Sequence, residues 1–174
     1  MKKLYYLITI LLILPFFSHA QDDWTLDPKD VESPDAIIDA LYGVISGPKG
    51  EKRNWARFKA LFGEEARLNP IGKDREGNIS IQSWTPDEYV NRVGDYFLEN
   101  GFFEEEIGRT TESFGNMMHL FSTYISKRTA DGPVYQRGIN SIQLRYDGTR
   151  YWIANIMWNA ETEEFPIPEK YINK

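Results

Sequence analysis

Residues 137–161 read RGINSIQLRYDGTRYWIANIMWNAE, and this stretch limits the fold more than any other. Two runs rich in Ile, Leu, Tyr and Trp flank Asp147 and Gly148. An Asp-Gly pair between alternating runs marks a β-hairpin, because a type I′ turn needs φ > 0 at both central residues. The hairpin carries Trp152 and Trp158, so it is too apolar for an exposed edge and something must pack on it. It reads as the last two strands of a curved sheet whose helices come earlier in the chain.

Upstream, three stretches have helical period. Ser33 caps a helix with Pro34 at its first position and Asp35 in its first turn; Ile37, Ala40, Leu41, Val44 and Ile45 share one face, and Gly47-Pro48 ends it. Asn54 caps a second, shorter helix whose stripe is Trp55, Phe58, Leu61 and Phe62, stopped by Gly63. A short strand is expected at 66–71 and a solvated hairpin at 73–83. Thr85-Pro86-Asp87-Glu88 is a capping box before a third helix faced by Tyr89, Val90, Val93, Tyr96 and Phe97 and closed by Asn100-Gly101. After Gly101 the period changes from about 3.6 to 2, which predicts strands at 102–111, 116–128, 135–146 and 150–159. Three helices followed by a meander of long antiparallel strands is an α+β architecture with the helices on one face of the sheet.

Residues 1–20 read as a secretory signal peptide: Lys2 and Lys3, an apolar run over 4–17, then Ser18-His19-Ala20. Residues 21–32 are expected as a flexible lead-in, 33–160 as the domain, and 161–174, with Pro166 and Pro168, as an extended tail. The expected protein is exported, periplasmic or secreted, and carries no membrane anchor once the signal is removed, because no cysteine follows the apolar run. Without Lys2 and Lys3 there are 18 basic and 26 acidic residues, a net charge of −8. That balance argues against nucleic acid or anionic lipid as partners. With no cysteine anywhere, the core alone must stabilise the exported chain.

Four stretches carry a resemblance to a known family. They are NWARFKALFGEEARL at 54–68, GFFEEEI at 101–107, HLFSTY at 119–124 and RGINSIQLRYDGTRYWIANIMW at 137–158. With the helix order, the chain resembles the nuclear transport factor 2-like (SnoaL-like, ketosteroid isomerase-like) superfamily, and within it a group of uncharacterised bacterial members. The resemblance implies a cone-shaped α+β barrel in which three N-terminal helices pack into a curved antiparallel sheet. It also implies a cavity at the mouth of the cone and a homodimer through the outer sheet face. It supplies no catalytic set, because neither a general-base Asp nor a Tyr/Asp oxyanion hole maps by motif. This fold hosts isomerases, dehydratases, cyclases, epoxide hydrolases and proteins without catalysis.

Alternation divides the last three strands into two faces. Met118, Leu120, Ser122 and Tyr124, then Asn140, Ile142, Leu144 and Tyr146, then Trp152, Ala154, Ile156 and Trp158 form the face expected to line the cavity or core. His119, Phe121 and Thr123, then Ile139, Ser141, Gln143 and Arg145, then Ile153, Asn155 and Met157 form the outer face. A bulge would invert this register.

The expected ligand-binding set is Trp55, Tyr124, Asn140, Trp152, Trp158 and Arg137. The four aromatics line a pocket or an ordinary core. Asn140 is the polar group expected to face a ligand, with a satisfied bulge as the alternative. Arg53, Arg57 and Arg137 are suited to grip a carboxylate or to pair with Glu105 or Glu106. His119, the one histidine beyond the signal, is the candidate general base; the competing reading packs it between strands. Glu104 and Glu106 share a strand face and read as gatekeepers of an edge strand rather than as acid–base groups. One histidine and no cysteine leave no ordinary zinc site, and no phosphate loop, GxSxG or calcium loop occurs. No cofactor is expected. The expected function is binding of a small apolar or amphipathic ligand in the cone. The alternatives are a cofactor-free isomerase, dehydratase or cyclase and a purely structural homodimer.

Overall fold

Side chains placed by the sequence fix where each helix begins. Ser33 Oγ accepts the Ala36 N–H at 3.1 Å, and Asn54 Oδ1 accepts the Arg57 N–H at 2.8 Å. Thr85 and Glu88 close a reciprocal capping box. The computed structural model describes residues 26–172; the expected signal segment, 1–20, lies outside them. The helices are α1 (Pro34–Ile45), α2 (Trp55–Ala60) and α3 (Pro86–Asn100). The strands are β1 (Phe62–Lys73), β2 (Ile79–Ile81), β3 (Phe103–Phe114), β4 (Met117–Lys127), β5 (Val134–Tyr146) and β6 (Tyr151–Ala160).

The strands form one sheet in the order β2-β1-β6-β5-β4-β3. β3 to β6 make the antiparallel meander, while β1 joins β6 in parallel. Ile37, Ile38 and Leu41 of α1 belong to one core with Leu120, Ile142, Leu144, Ile153 and Ile156 of the sheet. The architecture is α+β, with the helices against one face of the sheet.

The structure departs from the expected elements in particular places. α2 stops at Ala60, and Leu61 and Phe62 stay buried but leave the helix. The Leu61 carbonyl accepts the Ile153 N–H at 3.0 Å, so pairing with β6 takes over from the helix and β1 starts at Phe62 rather than at 66. The Asp147-Gly148 turn is not type I′, since only Gly148 has positive φ. Asp147 Oδ1 closes it instead, accepting the N–H groups of Thr149 and Arg150 at 2.8 and 2.9 Å. Within the described part of the lead-in, Asp27 caps a 3₁₀ turn at Pro28–Val31, Val31 is buried, and Asp30 pairs with Arg57 at 2.7 Å.

A bulge changes the faces of β6. Gln143 lies opposite Asn155 but Leu144 opposite Ile153, so Ala154 is the extra residue. Ile153 therefore enters the core, and Trp152 turns to the outer face beside Arg145. The tail crosses the outer face as well. Thr123 Oγ1 donates to the Tyr171 carbonyl at 2.6 Å, and the Tyr171 ring meets Phe121 at 5.0 Å. On the inner side, Gly138 sits opposite Tyr124. A Cβ there would collide with the Tyr124 hydroxyl and with the Asn159 carbonyl at 2.6 Å, so only glycine lets the phenol lie across β5.

Candidate functional site: the cone cavity

A partly open cavity of about 320 Å³ lies between the helices and the inner face of the sheet. Sites for small molecules span roughly 300–1,000 Å³, so this one suits a small occupant. Leu41 and Ile45 of α1, Phe58 of α2, Val93 and Phe97 of α3, and Ile156 of β6 give it apolar walls. Trp84, Tyr89, Tyr124 and Trp158 add rings with a polar end. Trp84 and Tyr89 each stand edge-on to Trp158 at 6.3 Å. The polar lining is Glu104, Ser126, Gln136 and Asn140.

Glu104 is the ionisable group in this lining that matters most. β3 is a sheet edge, yet α1 covers its inner side, and Ser46 Oγ accepts the Glu104 N–H at 3.0 Å. The carboxyl accepts Ser126 Oγ at 3.2 Å and Asn140 Nδ2 at 3.5 Å. Burial pushes its pKa from 4.5 up to about 7, and the two hydrogen bonds offset only part of that. The surface it retains borders the cavity.

Glu106, on the same face, has a different environment. It accepts Ser122 Oγ at 2.5 Å and a bidentate pair from Arg109 at 2.8 and 2.7 Å. Arg109 also reaches Asp35 on α1. Ser122 gives its proton to Glu106, so Tyr42 donates to Ser122 Oγ at 2.7 Å and accepts Asn140 Nδ2 at 3.0 Å. Burial holds Tyr42 neutral by raising its pKa. Asn140 therefore joins two systems, the ion-paired Glu106 cluster and the cavity carboxyl.

Of the six expected ligand residues, Tyr124, Asn140 and Trp158 line the cavity. Trp55 does not: it sits in a groove between α2 and α3, with its ring 5.7 Å from Phe58 and 6.2 Å from Phe97. Trp152 does not, because of the β6 bulge; its Nε1 donates to Asp147 at 2.6 Å and Arg150 stacks on it at 3.6 Å. Arg137 holds Glu161 through two bonds of 2.6 and 2.8 Å where β5 meets the tail. Arg57 pairs with Asp30, and Arg53 grips backbone carbonyls rather than a carboxylate. His119 lies on the outer face against Ser141, 2.8 Å from its Oγ, away from the cavity. Among the described residues there is no group of three or more metal-ligating side chains.

Glu104 and Glu106 are not solvated gatekeepers, because α1 covers the edge strand that carries them. The sequence held one usable signal. Glu104 and Glu106 alternate in phase with Phe102, which is buried, so the three share the inward face.

No protein-family model and no curated protein sequence matches the chain. Solved structures do. One is a protein of unknown function with a cystatin-like fold from Nostoc punctiforme, at 10% identity and TM-score 0.55, covering 73% of this chain and 87% of its own. Another is an uncharacterised protein with a cystatin-like fold from Caulobacter vibrioides, at 12% identity and TM-score 0.54, covering 75% and 88%. A third is LinA, at 10% identity and TM-score 0.52, covering 80% and 93%. At such identities the likeness establishes the fold: the chain has the cystatin-like, nuclear transport factor 2-like cone expected from its resemblance.

Proposed function

We propose that the protein takes a small, largely apolar molecule into the cone cavity, with Glu104 as the group that exchanges a hydrogen bond or a proton with it. One observation carries this reading: a lone carboxyl, held near neutrality in its titration, on the wall of an apolar cavity of about 320 Å³. Titration of tryptophan fluorescence with naphthalene tests it, since Trp84 and Trp158 line the cavity. The expected result is saturable binding at roughly 10–100 μM, within the aqueous solubility of naphthalene. Ile156→Trp, which fills the cavity, is expected to weaken it at least about tenfold. A signal that never saturates, or one unchanged in the filled variant, would overturn the reading.

The raised pKa of Glu104 favours a second reading, a cofactor-free isomerase, dehydratase or cyclase in which this carboxylate takes a proton from carbon. It predicts Glu104-dependent uptake of solvent deuterium by a bound carbon acid, lost in Glu104→Gln; equal exchange in both proteins refutes it. The proposal also places the protein outside the cytoplasm, on the strength of residues 1–20, and pairs two copies through the outer sheet face. The expected observations are a mature N-terminus near Gln21 and a sedimentation mass of two chains. An unprocessed N-terminus or a monomer mass removes the corresponding part.

A further inference from the structure

Resting on the reading of the cone as a small-molecule site, we infer that its occupant is an organic cation, a lipophilic amine or ammonium held between the Glu104 carboxylate and the aromatic walls. The residues lining the cavity include one acid and no lysine, arginine or histidine. The two carboxylates of β3 make the contrast. Glu106 has Arg109 as its counter-ion, whereas among the described residues the Glu104 carboxyl has only the Ser126 hydroxyl and an Asn140 amide shared with Tyr42. A buried carboxylate without a cation is unfavourable, and an entering cation supplies what the fold withholds.

The other titratable groups acting near Glu104 are tyrosines: Tyr42 from α1, Tyr89 from α3, Tyr124 from β4 and Tyr135 from β5. Burial raises the pKa of each, so none is charged at neutral pH and none competes for the carboxylate. Arg128 lies over the Tyr135 ring at 4.2 Å but is not in the cavity lining. The wall around the carboxyl is aromatic, and the edge-on meeting of Trp84 and Tyr89 with Trp158 makes a corner of rings. Ring faces attract a desolvated cation, and an ammonium group is the ligand that such cages bind. An anion would meet Glu104 with nothing to offset it, and a neutral molecule would leave the carboxyl's ionisation unused.

Cation binding requires the ionised carboxylate, so it expels the proton that free Glu104 holds below about pH 7. A permanently charged probe makes the prediction clean because it does not titrate. Calorimetric titration of the full protein with benzyltrimethylammonium, benzyl alcohol and phenylacetate is the test. At pH 8 the cation is expected to bind at least about tenfold tighter than the alcohol, with no binding of phenylacetate. Its affinity is expected to fall about tenfold per pH unit below 7, while that of the alcohol stays level. Glu104→Gln is expected to bind the cation no better than the alcohol and with no pH dependence. Should that variant not fold, the pH profile of the natural protein decides alone. The inference falls if the alcohol binds as well as the cation, if the cation's affinity is level with pH, or if Glu104→Gln keeps the preference. If the cation, the alcohol and naphthalene all fail to bind, the small-molecule reading falls with it.

Discussion

The natural protein is expected to lose about 2–3 kcal/mol of stability between pH 5 and pH 8 that a Glu104→Gln variant does not lose. The direction follows from proton counting. Glu104 titrates at about 7 in the folded protein and at the ordinary 4.5 when unfolded. Between those values the folded state holds a proton that the unfolded state has released, so stability falls as pH rises. The contribution is fully present below about 4.5, is lost through the window up to about 7, and is constant above it. A shift of this size corresponds to about 3 kcal/mol at most, and water reaching the cavity side of the carboxyl reduces it. Most carboxylates behave the opposite way, because pairing lowers their pKa and acid destabilises the fold. Glu65 and Glu161, both lowered by arginine partners, are of that kind here. Glutamine keeps the shape and, like the protonated carboxyl, offers one acceptor oxygen and one donor, but it has no proton to lose. Urea unfolding of both proteins at pH 5 and pH 8 measures the difference, and parallel pH dependences would sink the argument.

Arg53→Ala is expected to cost about 3–5 kcal/mol, although Arg53 touches neither the cavity nor any carboxylate. The residue is 5% exposed. Nε donates to the Ile45 carbonyl at 2.9 Å, Nη1 to Glu51 at 2.6 Å and Pro48 at 3.3 Å, and Nη2 to Gly47. These acceptors belong to the C-terminal end of α1 and the loop after it, where helix carbonyls have no partners of their own. The positive charge also opposes the negative end of the helix. Glycine at 47 is part of the arrangement, because a Cβ there would lie 2.7 Å from Nη1. Removing the guanidinium leaves the Ile45 and Glu51 carbonyls unbonded and takes one donor each from Gly47 and Pro48, which keep the Phe102 and Glu51 N–H groups. Lysine has a single compact ammonium and cannot span them, so Arg53→Lys is expected to recover less than half of the loss. Gly47 also pairs with Phe102 in both directions, and Ser46 holds the Glu104 backbone. The same substitution is therefore expected to loosen the cavity carboxyl and return its titration toward the ordinary range. Urea unfolding, with NMR titration of Glu104, tests both parts; a cost under about 1 kcal/mol would show that water satisfies those carbonyls.

What the sequence determined by itself is local. The starts of the three helices are legible because a capping side chain and the N–H it accepts lie three residues apart. The strands of β3 to β6 are legible because a period of 2 is written in consecutive residues. From these came the α+β architecture with helices on one face of the sheet, and from alternation the inward placement of Tyr124, Asn140 and Trp158, while the cone itself was implied by the resemblance. What only the tertiary structure decided depends on residues far apart. A one-residue bulge at Ala154 sent Trp152 outward, because strand register is set by pairing across the sheet. Asn140 meets Tyr42 across 98 positions, and Ser46 meets Glu104 across 58. A glutamate on an edge strand looks solvated until a helix is laid over it, and the cost of keeping its charge out of water is a property of that enclosure rather than of any neighbouring residue.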